Sequence, residues 1–143
     1  MASMTIKVSA LMKDKFRTEI QCSNPFVIDQ PVAAGGNNEG PNPLEVFLST
    51  LPACICAIGR IIANQRKIKL NKIEVKTEGD IDKDFLLGIT KEGRAGFTEI
   101  RNYVTIDADM TEEEKEAFLN DIESRCPIAD NMANTSKLIV DIV

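Results

Sequence analysis

Cys54 and Cys126 are the residues best placed to do chemistry here, and the alternatives are few: the 143 residues include four cysteines and no histidine. The lack of histidine removes histidine-activated nucleophiles, the usual metalloenzyme ligand sets and imidazole acid–base catalysis. Any reaction must run on cysteine, carboxylate, lysine, arginine or the single tyrosine, Tyr103. Cys54 lies two residues after Pro52, within the most apolar stretch of the chain. If Pro52 breaks a helix there, Cys54 falls in the first turn of the restarted segment, where free N–H groups and the dipole stabilise a thiolate. The alternative is that Cys54 simply packs, as buried cysteines do. Cys126 follows a helical stripe, is held by Pro127 and is flanked by Arg125 and Asp130. A cationic neighbour at a local turn also favours a thiolate.

Cys54 and Cys56 are not a pair on an intact helix. Two residues turn about 200°, which sends their side chains to nearly opposite sides. A metal clip would need the helix broken, and no second close pair completes four ligands. Cys56 therefore reads as packing. A reactive Cys54 with a folded-over Cys126 would instead form a redox couple. A thiolate opens a peroxide O–O bond, a second thiol condenses with the sulfenic acid, and an external dithiol reduces the disulfide. This scheme needs no metal, flavin or other cofactor.

The element that must position Cys54 is the stretch Gly40–Ala63. Asn42 is a good N-cap, Pro43 suits the first helical position, and Glu45 complements the N-terminal dipole. The helix is expected to run to Gln65 or Arg66 and to be covered nearly all round, since few polar residues interrupt it. Glu45, Pro52 and Arg60 argue against a membrane span. Before it, residues 5–12, Phe16–Cys22 and Phe26–Asp29 read as strands. Cys22 shares a face with Phe16, Thr18 and Ile20 and is expected in the core, while Arg17 faces the other way, solvated or pointed into a site. Gly35 and Gly40 form a G-x-x-x-x-G, but Pro41-Asn42 follows where a phosphate loop needs Lys-Ser/Thr. After the helix, residues 73–78 and Phe97–Ala108 read as strands separated by an irregular segment with an apolar patch at Phe85–Gly88. Thr111-x-x-Glu114 is a capping box opening a helix through Ser124, and Leu138–Val143 reads as a last strand.

The order β-β-β-α-β-β-α-β predicts a single α+β domain over residues 1–143. Six short strands cannot easily cover one long helix, so a homodimer with that helix near the interface is expected. A net charge of −5 and a pI near 4.8 argue against nucleic acid as a partner. With no stretch that reads as a signal peptide and no span, a cytoplasmic location is expected, where a structural disulfide is disfavoured and a catalytic one is not.

Several motifs then occur together. Gly40-Pro41-Asn42-Pro43-Leu44-Glu45-Val46-Phe47-Leu48, with Cys54 eleven residues after Pro43, resembles the OsmC/Ohr family of thiol-dependent peroxidases. Gly79-Asp80-Ile81-Asp82, Phe85-Leu86-Leu87-Gly88-Ile89, Gly96-Phe97-x-x-Ile100 and Arg125-Cys126-Pro127-Ile128-x-Asp130-Asn131-x-x-Asn134 follow the same pattern in order. The resemblance implies an OsmC-like α+β fold, with antiparallel sheets wrapped around long central helices in an intertwined dimer, and active sites at the interface. It implies that Cys54 is the peroxidatic and Cys126 the resolving cysteine, with an organic hydroperoxide as substrate and a dithiol as reductant, in defence against oxidative or osmotic stress. An Arg and a Glu activate the first cysteine in the family. Here the position after Pro43 is Leu44, and the carboxylate comes one residue later at Glu45, about 100° away on a helix. Arg17 is the candidate arginine. Arg60, six residues beyond Cys54 and roughly 9 Å along the axis, is the alternative. A non-catalytic relative binding a small apolar or thiol ligand is the second reading, and the apolar residues Phe47, Leu51 and Phe85 hint at a lipid-like or aryl substrate.

Overall fold

The computed structural model describes residues 2–143 and divides into two compact units, Met1–Phe47 and Leu48–Val143. The first unit is a meander of β1 (Ser9–Met12), β2 (Thr18–Gln21) and β3 (Phe26–Ile28). β1 pairs antiparallel with β2, Ala10 facing Ile20, and β2 pairs antiparallel with β3, Glu19 facing Val27. Residues 5–8, expected as strand, precede the ladder and are exposed, because pairing begins only at Ser9. Cys22 is not in the core. β2 ends at Gln21, and Cys22 sits half-buried in the bend that turns the chain toward β3, its thiol donating to the Asn24 carbonyl at 3.1 Å.

Helix α1 (Pro43–Arg66) opens as expected. The Asn42 side chain accepts from the Glu45 N–H at 2.9 Å, and the Glu45 carboxylate accepts from the Asn42 N–H at 3.2 Å, a reciprocal cap with Pro43 between them. The helix does not break at Pro52 but runs through it. One hydrogen bond is forfeited there, while Leu51, Ile55, Gly59, Ile62 and Ala63 form a buried stripe on either side that holds the helix in register. Its end is a Schellman turn. Lys67 takes a left-handed φ of 56°, its N–H reaches the Asn64 carbonyl, and the Ile68 N–H reaches the Ala63 carbonyl at 2.8 Å. α1 is long and apolar enough to cross a membrane by length and composition alone. It is not covered all round: the chain buries one stripe, and Ala53, Ala57 and Ile61 remain exposed, because a helix resting on a two-stranded ribbon and one further helix has only one side occupied.

In the second unit, β4 (Leu70–Asp80) and β5 (Glu99–Ala108) make a long antiparallel ribbon, with an irregularity between Leu70 and Lys72. The pairs Ile73–Ile106 and Val75–Val104 turn toward the core, and Glu78–Arg101 and Asp80–Glu99 lie on the other face. There Arg101 binds Glu78, Asp80 and Glu99 at 2.6–2.8 Å. The connection expected to be irregular contains the short helix α2 (Lys83–Leu86), nucleated by the Asp82 carboxylate accepting from the N–H groups of Asp84 and Phe85. α3 (Glu112–Arg125) starts with the expected Thr111–Glu114 capping box and buries Phe118 and Ile122. Ile122 lies so close over Gly59 that a Cβ there would be 3.2 Å from its methyl carbon. Residues 138–143 form no strand, and Leu138, Val140 and Ile142 are exposed. An alternating apolar segment becomes a strand only when it pairs with a sheet edge, and this one pairs with none.

Candidate active site

Between α3 and the unexpected helix α4 (Pro127–Ala133) stands Cys126, which ends one helix and begins the next in an extended conformation (φ −80°, ψ 109°). Pro127 forces this break: it restricts the residue before it to extended geometry, yet is well suited to start a helix itself. The Cys126 side chain is 1 % exposed and belongs to the same apolar cluster as Leu51, Ile55, Phe118 and Ile122. Its sulfur accepts the Ala129 N–H at 3.4 Å.

Cys54 packs against this cluster from α1. With the helix continuous through Pro52, no free N–H of α1 is available to its thiol. It meets Cys126 instead. The Cys126 thiol and the Ile128 N–H both lie near enough to act on the ionisation of Cys54. Burial pushes the Cys54 thiol above its ordinary value, and the Cys126 thiol adds to this, while the Ile128 N–H works in the opposite direction. All four cysteines are free thiols. The structure therefore brings together the two cysteines that the sequence singled out, 72 positions apart, by packing α1 against the α3–α4 junction. The flanking charges of Cys126 have other partners: Arg125 donates to Gln65 at 3.0 Å, and Asp130 accepts from Asn134 at 3.1 Å. Cys56 is half-buried, its thiol 3.9 Å from the Ile73 carbonyl, so it packs. No group of three or more potential ligands able to hold a metal occurs among the described residues.

The remaining candidates are engaged elsewhere. Arg60 donates to the Leu70 carbonyl at 3.2 Å and ties the second half of α1 to β4. Glu45 closes the N-terminal cap of α1. Arg17, in the first unit, is held between Glu19 at 2.6 Å and Glu39 at 3.3 Å, on the wall of a pocket of about 210 Å³ shared with Leu11, Lys13, Asp14 and Glu19. Sequence reasoning missed the N–H groups of Ile128 and Ala129. Their signal was Pro127 directly after a cysteine, the mark of a helix start.

The α+β scaffold with antiparallel sheets and a long apolar helix is the OsmC fold. The chain belongs to that family: residues 36–141 match the family model described as OsmC-like protein. It is similar to a hydroperoxide reductase of Mycoplasma genitalium, 28% identical over 120 residues, covering 84% of this chain and 82% of that protein. A hydroperoxide reductase of Mycoplasma pneumoniae is 25% identical over 134 residues, covering 94% and 90% of the two chains. The crystal structure of an OsmC-like protein from Mycoplasma pneumoniae superposes with a TM-score of 0.79 at 20% identity, covering 94% of this chain and 91% of that one, and shares the fold.

Proposed function

We propose that the protein is a cysteine-based reductase of organic hydroperoxides, serving defence against peroxide and related stress. The observation that carries this is a pair of neighbouring free thiols, Cys54 and Cys126, at one apolar cluster. The Cys54 thiolate attacks the terminal oxygen of a hydroperoxide. An S–O bond forms, the O–O bond breaks, and the alcohol leaves with a proton. The Cys126 thiol then attacks the sulfenic sulfur, a disulfide forms, and water leaves. An external dithiol reduces that disulfide by exchange and is itself oxidised. The relatives named hydroperoxide reductase support the substrate class.

Cys54 in its apolar setting holds its proton more tightly than a free thiol, so the mechanism needs a cation to stabilise the thiolate once the proton has passed to solvent. Arg17 is proposed for that role. Glu45 is proposed to fix the start of α1 in the displaced place of the family carboxylate. A homodimer, acting in the cytoplasm, is proposed to cover the exposed Ala53, Ala57 and Ile61 face of α1. The upward shift of Cys54 is also the one observation that favours a second reading, a non-catalytic relative that binds a small apolar or thiol ligand.

Consumption of cumene hydroperoxide with a dithiol, followed for wild type, Cys54→Ser and Cys126→Ser, decides between them. Turnover by wild type, none by Cys54→Ser, and a sulfenic acid trapped in Cys126→Ser are expected. Wild type no faster than Cys54→Ser leaves the ligand-binding reading.

A further inference from the structure

Cys54 and Cys126 differ in how open they are to a reductant. Cys126 is 1 % exposed, sealed in the cluster with Leu51, Ile55, Phe118 and Ile122. Cys54 stands at the margin of the same cluster and is only half-buried. A disulfide is reduced by attack of a thiolate on one sulfur and departure of the other, and both access and the pKa of the departing thiol select the sulfur attacked. At Cys126 both criteria fail. A thiolate loses its hydration on entering an apolar cluster, and the seal leaves it no approach. Attack there would also expel Cys54, whose thiol burial pushes up, and a thiol of raised pKa is a slow leaving group. Attack at Cys54 meets neither obstacle. Its sulfur is approached from the margin, and the departing Cys126 sulfur keeps the Ala129 N–H, at 3.4 Å, as a donor to its charge.

We infer that the external dithiol reduces the Cys54–Cys126 disulfide by attacking the Cys54 sulfur alone, so that Cys54 both takes the peroxide oxygen and carries the reductant. This rests on the reading of the two cysteines as a redox couple. One thiolate of the dithiol bonds to Cys54 Sγ, the Cys54–Cys126 bond breaks, and Cys126 leaves as a thiolate that takes a proton from solvent. The second thiolate of the reductant then attacks the reductant's own sulfur in the mixed disulfide. An S–S bond forms within the reductant, its bond to Cys54 breaks, and Cys54 leaves as a thiolate. The dithiol ends as its own disulfide, and both protein thiols are restored. Cys126 is bonded throughout to no sulfur but that of Cys54. Its burial is therefore what confines its reactivity to one partner.

The test starts from the disulfide form of the wild-type chain, made with diamide, which oxidises thiols without any peroxide. The monothiol 2-mercaptoethanol is added, exchange is stopped with acid at successive early times, and remaining thiols are capped with N-ethylmaleimide in denaturant. Peptide mass spectrometry then reads which cysteine carries the mercaptoethanol and which the maleimide. At the earliest times mercaptoethanol on Cys54 with maleimide on Cys126 is expected to exceed the reverse by roughly tenfold or more, since burial denies access to one sulfur. In urea strong enough to unfold the chain the ratio should fall toward one, because both sulfurs then meet solvent. An early adduct on Cys126, or an even split in the folded chain, overturns the inference. So does a preference that survives unfolding, which would assign the selection to the neighbouring residues rather than to burial, and so does the absence of a Cys54–Cys126 disulfide after diamide. No peroxide enters the experiment. A chain that gives the Cys54 adduct yet consumes no cumene hydroperoxide keeps the inference and rejects the peroxidase, whereas turnover with the adduct on Cys126 does the opposite.

Discussion

Cys54 and Arg17 are held by opposite means. Cys54 is fixed by packing: a helix stripe, a ribbon and two helix ends leave it an apolar wall, a partner thiol and one backbone N–H. Arg17 is fixed by charge: two carboxylates grip it at a half-exposed site, and a buried third carboxylate holds one of the two in place. Packing makes a site dry and exact, but it raises the cost of ionising a thiol. Ion pairs at a surface keep a guanidinium charged and directed, yet contribute little stability, because water and salt screen them.

The sharpest way to break this comparison is chemical. Cys54→Ser is expected to reduce hydroperoxide consumption to the uncatalysed background, whereas Arg17→Gln slows it without abolishing it. Equal loss in both would mean that Arg17 acts as an essential part of the reaction rather than as an aid to ionisation.

Stability should divide along the same line. Ile122 is fully buried over Gly59, and Ile122→Ala is expected to cost about 2–5 kcal/mol in urea unfolding, the usual range for a sealed cavity. Ile20→Ala, at a half-buried site in the three-stranded sheet, should cost clearly less. The reverse order would place the main core in the first unit.

The third prediction concerns pH. Burial and the neighbouring Cys126 raise the Cys54 thiol, so the neutral form persists to higher pH than in a free thiol of pKa about 8.5. Wild-type alkylation should therefore climb only as pH rises through and beyond the ordinary thiol range. If Arg17 aids ionisation, Arg17→Gln should climb at higher pH still. Coincident profiles would remove the activating role of charge from the comparison.

The smallest effect is a local one. Thr111→Ala removes the acceptor for the Glu114 N–H at 3.2 Å and is expected to cost about 1 kcal/mol, the usual worth of an N-cap. It should leave Cys54 alkylation unchanged, although α3 carries Cys126 at its end, because the cap acts about four turns away. A changed profile would show that the helix is held by its start rather than by its buried face.

Local chemistry made much of this legible beforehand. Asn42, Pro43 and Glu45 fixed the start of α1, Thr111 and Glu114 fixed that of α3, and alternation marked the two long strands, since each of these signals acts within a few residues. The motif order placed Cys54 and Cys126 as the pair to watch. Other features depended on partners distant in sequence. Pro52 kept its helix because a buried stripe outweighed one lost hydrogen bond, and Cys22 left the core because its strand stopped one residue short of it. Leu138–Val143 had the pattern of a strand but no ladder. Asp29 looked like the last residue of a strand, and nothing nearby announced that Asn37 and Glu39 would return to it.

The amino-acid sequence by itself determined which chemistry was possible: thiols without imidazole, an apolar helix to carry one of them, and a proline to set the other at a helix junction. Tertiary structure alone decided that the two thiols become neighbours, that Cys54 is harder to ionise than a free thiol, and that Arg17 is gripped rather than free. Bond-forming capacity is a property of residue type, whereas proximity, desolvation and the direction of a charge exist only once segments far apart in the chain have packed together.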